Sequence, residues 1–188
     1  MELTQVPVGE GTYTVRVDGP ESRHTVLLLP GAGESASVFD AVCERLHNSD
    51  LRTVVPESIE GLDETGAIAL LDALKLPWVN LAGNREGAAM AWLLAAKTFG
   101  RFASLVVADC PHPAVPDLDG VVRESGCAPV EMPTTLLIRN SLGRPMADTS
   151  GRHVYSDFRV VQLDGVDSVP QGAAAEMATE IVLRTSSW

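Results

Sequence analysis

Val79-Asn80-Leu81-Ala82-Gly83-Asn84-Arg85-Glu86-Gly87-Ala88 is the stretch whose reading decides the fold. Its first four residues form an apolar run of strand length. From Ala88 to Ala96 the chain is rich in Ala, Leu, Met and Trp, a helical composition. Between the two lies a turn with Gly83 and Gly87 on either side of Asn84-Arg85-Glu86. Glycines belong where the central residue of a turn is strained and its neighbours pack closely on strand and helix. Two glycines four apart are common by themselves, so the specificity lies in the flanks. The segment reads as strand, tight turn, helix, with Arg85 at the apex.

Outward from this turn the chain keeps alternating. Residues 12–17 alternate as a strand, and Asp18-Gly19-Pro20 turns it. Residues 25–29, Thr-Val-Leu-Leu-Leu, have the continuous apolar character of a strand buried on both faces. The small-residue loop Pro30-Gly31-Ala32-Gly33-Glu34-Ser35 follows, and Ser37 is the expected cap of a helix over 38–46. A strand is expected over 51–55, a helix from Thr65 with Ile68, Leu71 and Leu74 as its stripe, and strands over 105–108, 134–138 and 159–163. The helix after the turn is expected to run to Thr98, with Gly100 as its stop. A Pro-rich loop holds Pro111, Pro113 and Pro116, a short helix is expected near 118–125, and a last helix over 172–183. Strands alternating with helices, several apolar on both faces, predict an α/β fold: a mostly parallel central sheet with helices on both faces. Ligands bind such sheets outside the carboxyl ends of the strands, so the loops after residues 29, 55, 82, 108, 138 and 163 share one rim.

Composition narrows the function classes. The 188 residues carry a net charge of −11, which argues against a nucleic-acid surface and against attraction to anionic lipid. The length predicts a single domain over 1–188. Met1-Glu2-Leu3-Thr4-Gln5 has neither a basic nor an apolar leader segment, and no apolar run reaches membrane-span length. The expected location is cytoplasmic. Cys43, Cys110 and Cys127 show no C-x-x-C spacing and read as free thiols. No His, Cys or Asp grouping has metal-ligand spacing, so no metal and no cofactor are expected.

The ordered segments resemble the α/β-hydrolase fold superfamily across nearly the whole chain. "TVLLLPGAGESASVFDAVCERL" resembles its third strand, oxyanion loop and first helix; "LRTVVPESIEGLDET" resembles the segment written V-x-P-D-x-x-G-x-G-x-S. "ALLDALKLPWVNLAGNREGAAMAWLLAA" resembles the helix, strand, nucleophile elbow G-x-S-x-G and following helix. "RFASLVVADCP", "MPTTLLIRN" and "VVQLDGVDSVPQ" resemble the last three strands and their loops. The resemblance implies that the catalytic positions are altered. Arg85 stands at the nucleophile position, and a guanidinium, always protonated, cannot attack a carbonyl. The acid position falls near Gly143 and the general-base position near Ser168. The four histidines are His24, His47, His112 and His153, and none lies in that final loop. Pro30 replaces the usual His of the oxyanion loop. Few residues separate 108 from 134, so minimal or no lid is expected.

Each candidate has two readings. Arg85, at a helix N-terminus, forms an anion site with free N–H groups, or it pairs with an acidic neighbour on the rim: Glu34, Glu86, Asp109 or Asp167. The family's oxyanion donors correspond here to the amides of Ala32 and Glu86. Ala32, Gly33, Arg85, Glu86, Asp109 and His112 are the ligand-binding candidates. Asp109, Cys110 and His112 together offer thiol or acid–base chemistry, against a buried Cys110 and a solvent-exposed His112. Ser35 and Ser168 are the alternative hydroxyls. The leading expectation is a hydrolase-fold protein without the Ser/acid/His triad, a pseudoenzyme that binds a small anionic ligand or a protein partner. The alternative is an esterase-like or other enzyme using non-standard groups on the same rim. A third is a protein-interaction module.

Overall fold

The computed structural model describes residues 2–185. In chain order its elements are β1 (Glu2–Val8), β2 (Gly11–Asp18), β3 (Thr25–Leu29), α1 (Asp40–Asn48), β4 (Arg52–Pro56), α2 (Glu64–Ala73), β5 (Val79–Asn84), α3 (Glu86–Lys97), β6 (Phe102–Ala108), β7 (Thr134–Ile138), α4 (Arg144–Ser150), β8 (Phe158–Gln162), α5 (Val169–Gly172) and α6 (Ala174–Thr185). One eight-stranded sheet runs β1-β2-β4-β3-β5-β6-β7-β8. The β1–β2 and β2–β4 pairs are antiparallel, and every pairing from β4 to β8 is parallel. The loops that follow β3 to β8 therefore emerge at one rim, as the strand pattern predicts.

The double-sided core follows from the strand period of two. Along β3, Leu27 and Leu29 join the cluster under α2 and α3, while Val26 and Leu28 join the cluster under α1 and α6. Leu105 and Val107 divide from Val106 and Ala108 on β6 in the same way. A strand covered by helices on both faces is mostly apolar on both, which is why residues 26–29 and 105–108 read as unbroken apolar runs, and its few polar residues pair with one another, Ser104 Oγ donating to Asn80 Oδ1 at 2.9 Å. The connection over 109–133, where a lid would stand, contains neither helix nor strand, only a bridge from Val130 to Val154.

Several boundaries differ from the expectations. Ser37 caps no helix: it lies inside a 3₁₀ turn, Ala36–Phe39, where its hydroxyl pairs with that of Ser35, and α1 begins at Asp40. Asp63, not Thr65, opens α2, its carboxylate accepting from the Gly66 N–H at 2.7 Å. No helix forms near 118–125. There Asp117 accepts from the N–H groups of Asp119 and Val121, a local turn that competes with helix formation. Three elements carried no signal that was read: β1, with Pro7 inside it and only Val6 buried, α4, which has Pro145 near its start, and the single turn α5, which precedes the expected last helix.

Candidate functional site

Arg85 sits between β5 and α3 at φ 52° and ψ −117°, a conformation L residues avoid. The flanking glycines make this turn possible. A Cβ on Gly83 would lie 2.6 Å from the Gly87 carbonyl oxygen, and one on Gly87 would lie 2.1 Å from the carbonyl oxygen of Leu29. The turn is thus a glycine-dependent elbow that brings the α3 N-terminus onto the end of β3. Here the sequence reading and the structure agree in placement.

The guanidinium of Arg85 does not stand alone. Nη1 lies 3.5 Å from Glu34 Oε1, and Nη2 donates to the Asp167 carbonyl at 3.3 Å. Glu34 belongs to the loop after β3, which turns through Gly33 at φ 75° and closes with Glu34 N–H donating to Gly31 O. Its carboxylate also accepts from the Gly31 N–H at 2.8 Å, and both of its oxygens accept from Asn84 Nδ2, at 3.1 and 3.0 Å. Glu86, the first residue of α3, turns its carboxylate back onto the Ala32 N–H at 2.9 Å. The Ala32 amide, one of the two expected oxyanion donors, is therefore occupied by a carboxylate of the chain itself. Glu86 is well placed for this, because the first turn of a helix favours negative charge.

A second ion pair adjoins the first. Asp109, at φ 56° just after β6, lies 2.7 Å from Arg139 Nε, an ion pair whose angles fall outside hydrogen-bond geometry. Burial pushes the Asp109 carboxyl above the usual carboxylate range, and the Arg139 and Arg85 guanidiniums partly offset that. Arg139 Nη1 donates to the Asp167 carbonyl at 2.8 Å, so both arginines converge on one acceptor. Ser168 adjoins it, with its Oγ buried and unpartnered among the described residues. Gly143 is buried against Ile138, and a Cβ there would meet that side chain at 3.3 Å. The cluster gathers two cations, the carboxylates of Glu34, Glu86 and Asp109, and the Asp167 carbonyl. An incoming anion meets more negative than positive charge.

His112 departs from expectation. Far from being a solvent-exposed loop residue beside Asp109, it is 0% exposed beneath the Pro-rich loop. Its ring stacks on His153 with centroids 4.5 Å apart and meets Trp92 edge-on at 5.3 Å. Nδ1 accepts from the Ala114 N–H, so Nε2 carries the proton and donates to Ala128 O. That pattern holds the neutral ring, and burial lowers its pKa further. Cys110 is buried too, its thiol pushed up to about 12 by desolvation, which leaves no thiolate nucleophile. Among the described residues no group of three His, Cys, Asp or Glu side chains can hold a metal ion, and no helix is long and apolar enough to cross a membrane.

The sequence reading missed Arg139 and Asn84. Arg139 had a signal: it is the first residue after the apolar run of β7, hence on the rim by the same rule that placed Asp109.

Neither a family model nor a curated protein matches the chain. Solved structures do. An epoxide hydrolase of Vigna radiata superposes with a TM-score of 0.81 at 16% identity, covering 100% of this chain and 98% of the other. Epoxide hydrolase A of Mycobacterium thermoresistibile gives 0.81 at 12% identity, with 99% and 98% covered. One of the epoxide hydrolases of the α/β-hydrolase superfamily from hot-environment metagenomes gives 0.78 at 15% identity, with 97% and 98% covered. Identity this low carries the architecture and not the chemistry. With its parallel sheet, glycine-flanked elbow and covered faces, the chain has the α/β-hydrolase fold.

Proposed function

We propose that this chain binds a ligand or partner at the rim and does not perform acyl transfer through the elbow. One observation carries the reading: Arg85 holds the strained apex, and the Ala32 amide behind it is taken by Glu86. Acyl transfer requires a nucleophile, a base within reach and free donors for the developing oxyanion. The groups around Arg85 supply internal ion pairs in their place.

A second reading is hydrolysis by non-standard rim groups, and the comparisons support it more directly than the first, since the similar solved structures are epoxide hydrolases. Asp109 is the group it would use: a mostly buried carboxyl at a strained backbone position, with a raised pKa and a cation beside it.

Turnover of short activated esters and of styrene oxide separates the two. Wild type, Asp109→Asn, Arg85→Ser and Arg85→Ser/Ser168→His would be compared, with mass spectrometry for a covalent adduct. Binding without chemistry predicts no adduct on the wild type and no efficient single variant, because a serine hydroxyl needs a base and Ser168 provides none. The double variant lacks an acid at Gly143 to orient its imidazole. Loss of that orienting group costs a serine protease about 10⁴-fold. Wild-type turnover abolished by Asp109→Asn would replace the first reading by the second. Arg85→Ser alone reaching about 10 per second would refute both.

A further inference from the structure

At the end of the sheet opposite Arg85, where β5, β6 and β7 begin and α3 ends, the protein has a cavity of about 540 Å³. Its wall includes Trp78, Phe99, Phe102 and Tyr155, four of the nine aromatic residues of the chain (Trp 3, Tyr 2, Phe 4). Phe99 is 93% exposed and Tyr155 66%, so these two rings are open to a ligand, while Phe102 is 5% exposed. Large aromatics concentrated at one concavity, two of them widely exposed, are the composition of a binding site, not of an ordinary surface.

The charges at the cavity choose the ligand. Lys97 lines it, but its ammonium is committed to Glu124 at 2.9 Å and Glu64 at 3.5 Å. Glu131, exposed on the same wall, has no ion-pair partner among the described residues. Aromatic faces are electron-rich and attract cations, and a nearby carboxylate adds to that attraction. The net charge of −11 draws cations and repels anions at longer range. A neutral apolar ligand would cover the rings but gain nothing from the carboxylate. We propose that this cavity binds a small organic cation of the quaternary-ammonium class, with its methyl groups on the exposed rings of Phe99 and Tyr155 and Glu131 as the counter-charge. The volume lies within the range of small-molecule sites. The proposal does not rest on the reading of the rim, which lies at the other end of the strands.

Choline and 3,3-dimethylbutan-1-ol test it, because they share a shape and differ in charge. Calorimetric titration of the full chain should give saturable choline binding, and the alcohol should bind at least about tenfold more weakly. Phe99→Ala and Glu131→Gln should each weaken choline about fivefold or more. Both side chains are exposed, so neither change should move the melting temperature, and Glu131→Gln should leave the alcohol unaffected. Equal affinity for choline and the alcohol would overturn the proposal, since it would make the cavity merely apolar. Choline binding untouched by both substitutions would overturn it as well, by placing the cation elsewhere on the acidic surface. So would the absence of saturable choline binding.

Discussion

Replacing Gly87 by alanine puts the elbow itself under test. The added Cβ would lie 2.1 Å from the Leu29 carbonyl oxygen and 2.4 Å from that of Pro30. Both obstacles are backbone, and neither can turn aside as a side chain does. Opening the nearer contact from 2.1 Å to an ordinary 3.4 Å means moving the first turn of α3 off the end of β3 by about 1.3 Å. Forcing a methyl group into a packed site costs typically about 1–3 kcal/mol, and immovable neighbours place this case at the upper end, about 3 kcal/mol. A chain of this size loses about 2–4 °C of Tm per kcal/mol, so a fall of about 6–12 °C is expected. Total stability for a domain is about 5–15 kcal/mol, which leaves the variant folded and measurable. Urea unfolding followed by far-UV circular dichroism gives the free energy, and thermal melting gives Tm. Gly126→Ala is the control, because a Cβ there meets nothing within 4 Å. If Gly87→Ala stays within about 0.5 kcal/mol of wild type, the effect expected of an unremarkable surface change, the close approach of α3 to β3 is wrong. The account of the Ala32–Glu86 contact would then fall with it.

Acid should destabilise the region around His112. Its folded pKa is depressed below the ordinary 6.5, so its contribution is fully present above about pH 6.5 and is lost as the pH falls toward the depressed value. Denaturant titrations from pH 7.5 downward should show wild type losing up to about 1.4 kcal/mol per pH unit more than His112→Gln; identical slopes would contradict the buried neutral ring. Arg184 on α6 is 8% exposed and donates to Thr134 O at 2.7 Å and Thr135 Oγ1 at 3.0 Å, besides pairing with Asp157. Arg184→Met should cost about 2–3 kcal/mol in urea unfolding, because charged donors to buried acceptors are lost; a change under about 0.5 kcal/mol would show that α6 is not tied to β7 through this side chain.

Much of the fold was legible because its signals are local. The largely apolar runs 25–29 and 134–138 match β3 and β7 residue for residue, burial on both faces leaving polar residues only at the strand starts, Thr25, Thr134 and Thr135. The elbow was legible from two glycines and their flanks, for the contacts that demand glycine lie within the strand–turn–helix unit and on the adjoining β3. Less was legible where the backbone decides. β1 exists because its main chain pairs with β2 from Glu2 opposite Val17 to Val8 opposite Gly11, and ladder hydrogen bonds leave little trace in side chains. The Leu118-to-Ser125 segment carried helix-like residues, but the Asp117 side chain captured the N–H groups a helix would have used.

The sequence by itself determined the double-sided parallel sheet, the rim shared by the loops after its strands, and the presence of an arginine where the elbow presents its apex. Only the tertiary structure decided what that arginine meets. Glu34 lies 51 residues before Arg85, Arg139 lies 54 after it, and Asp167 lies 82 after it. The same long-range packing set Glu86 on the Ala32 amide and sealed His112 between His153 and Trp92. Periodicity reports which way a side chain points within its own element. Partners drawn from different strands and loops are fixed by how those elements pack, and no local pattern in the chain records that distance.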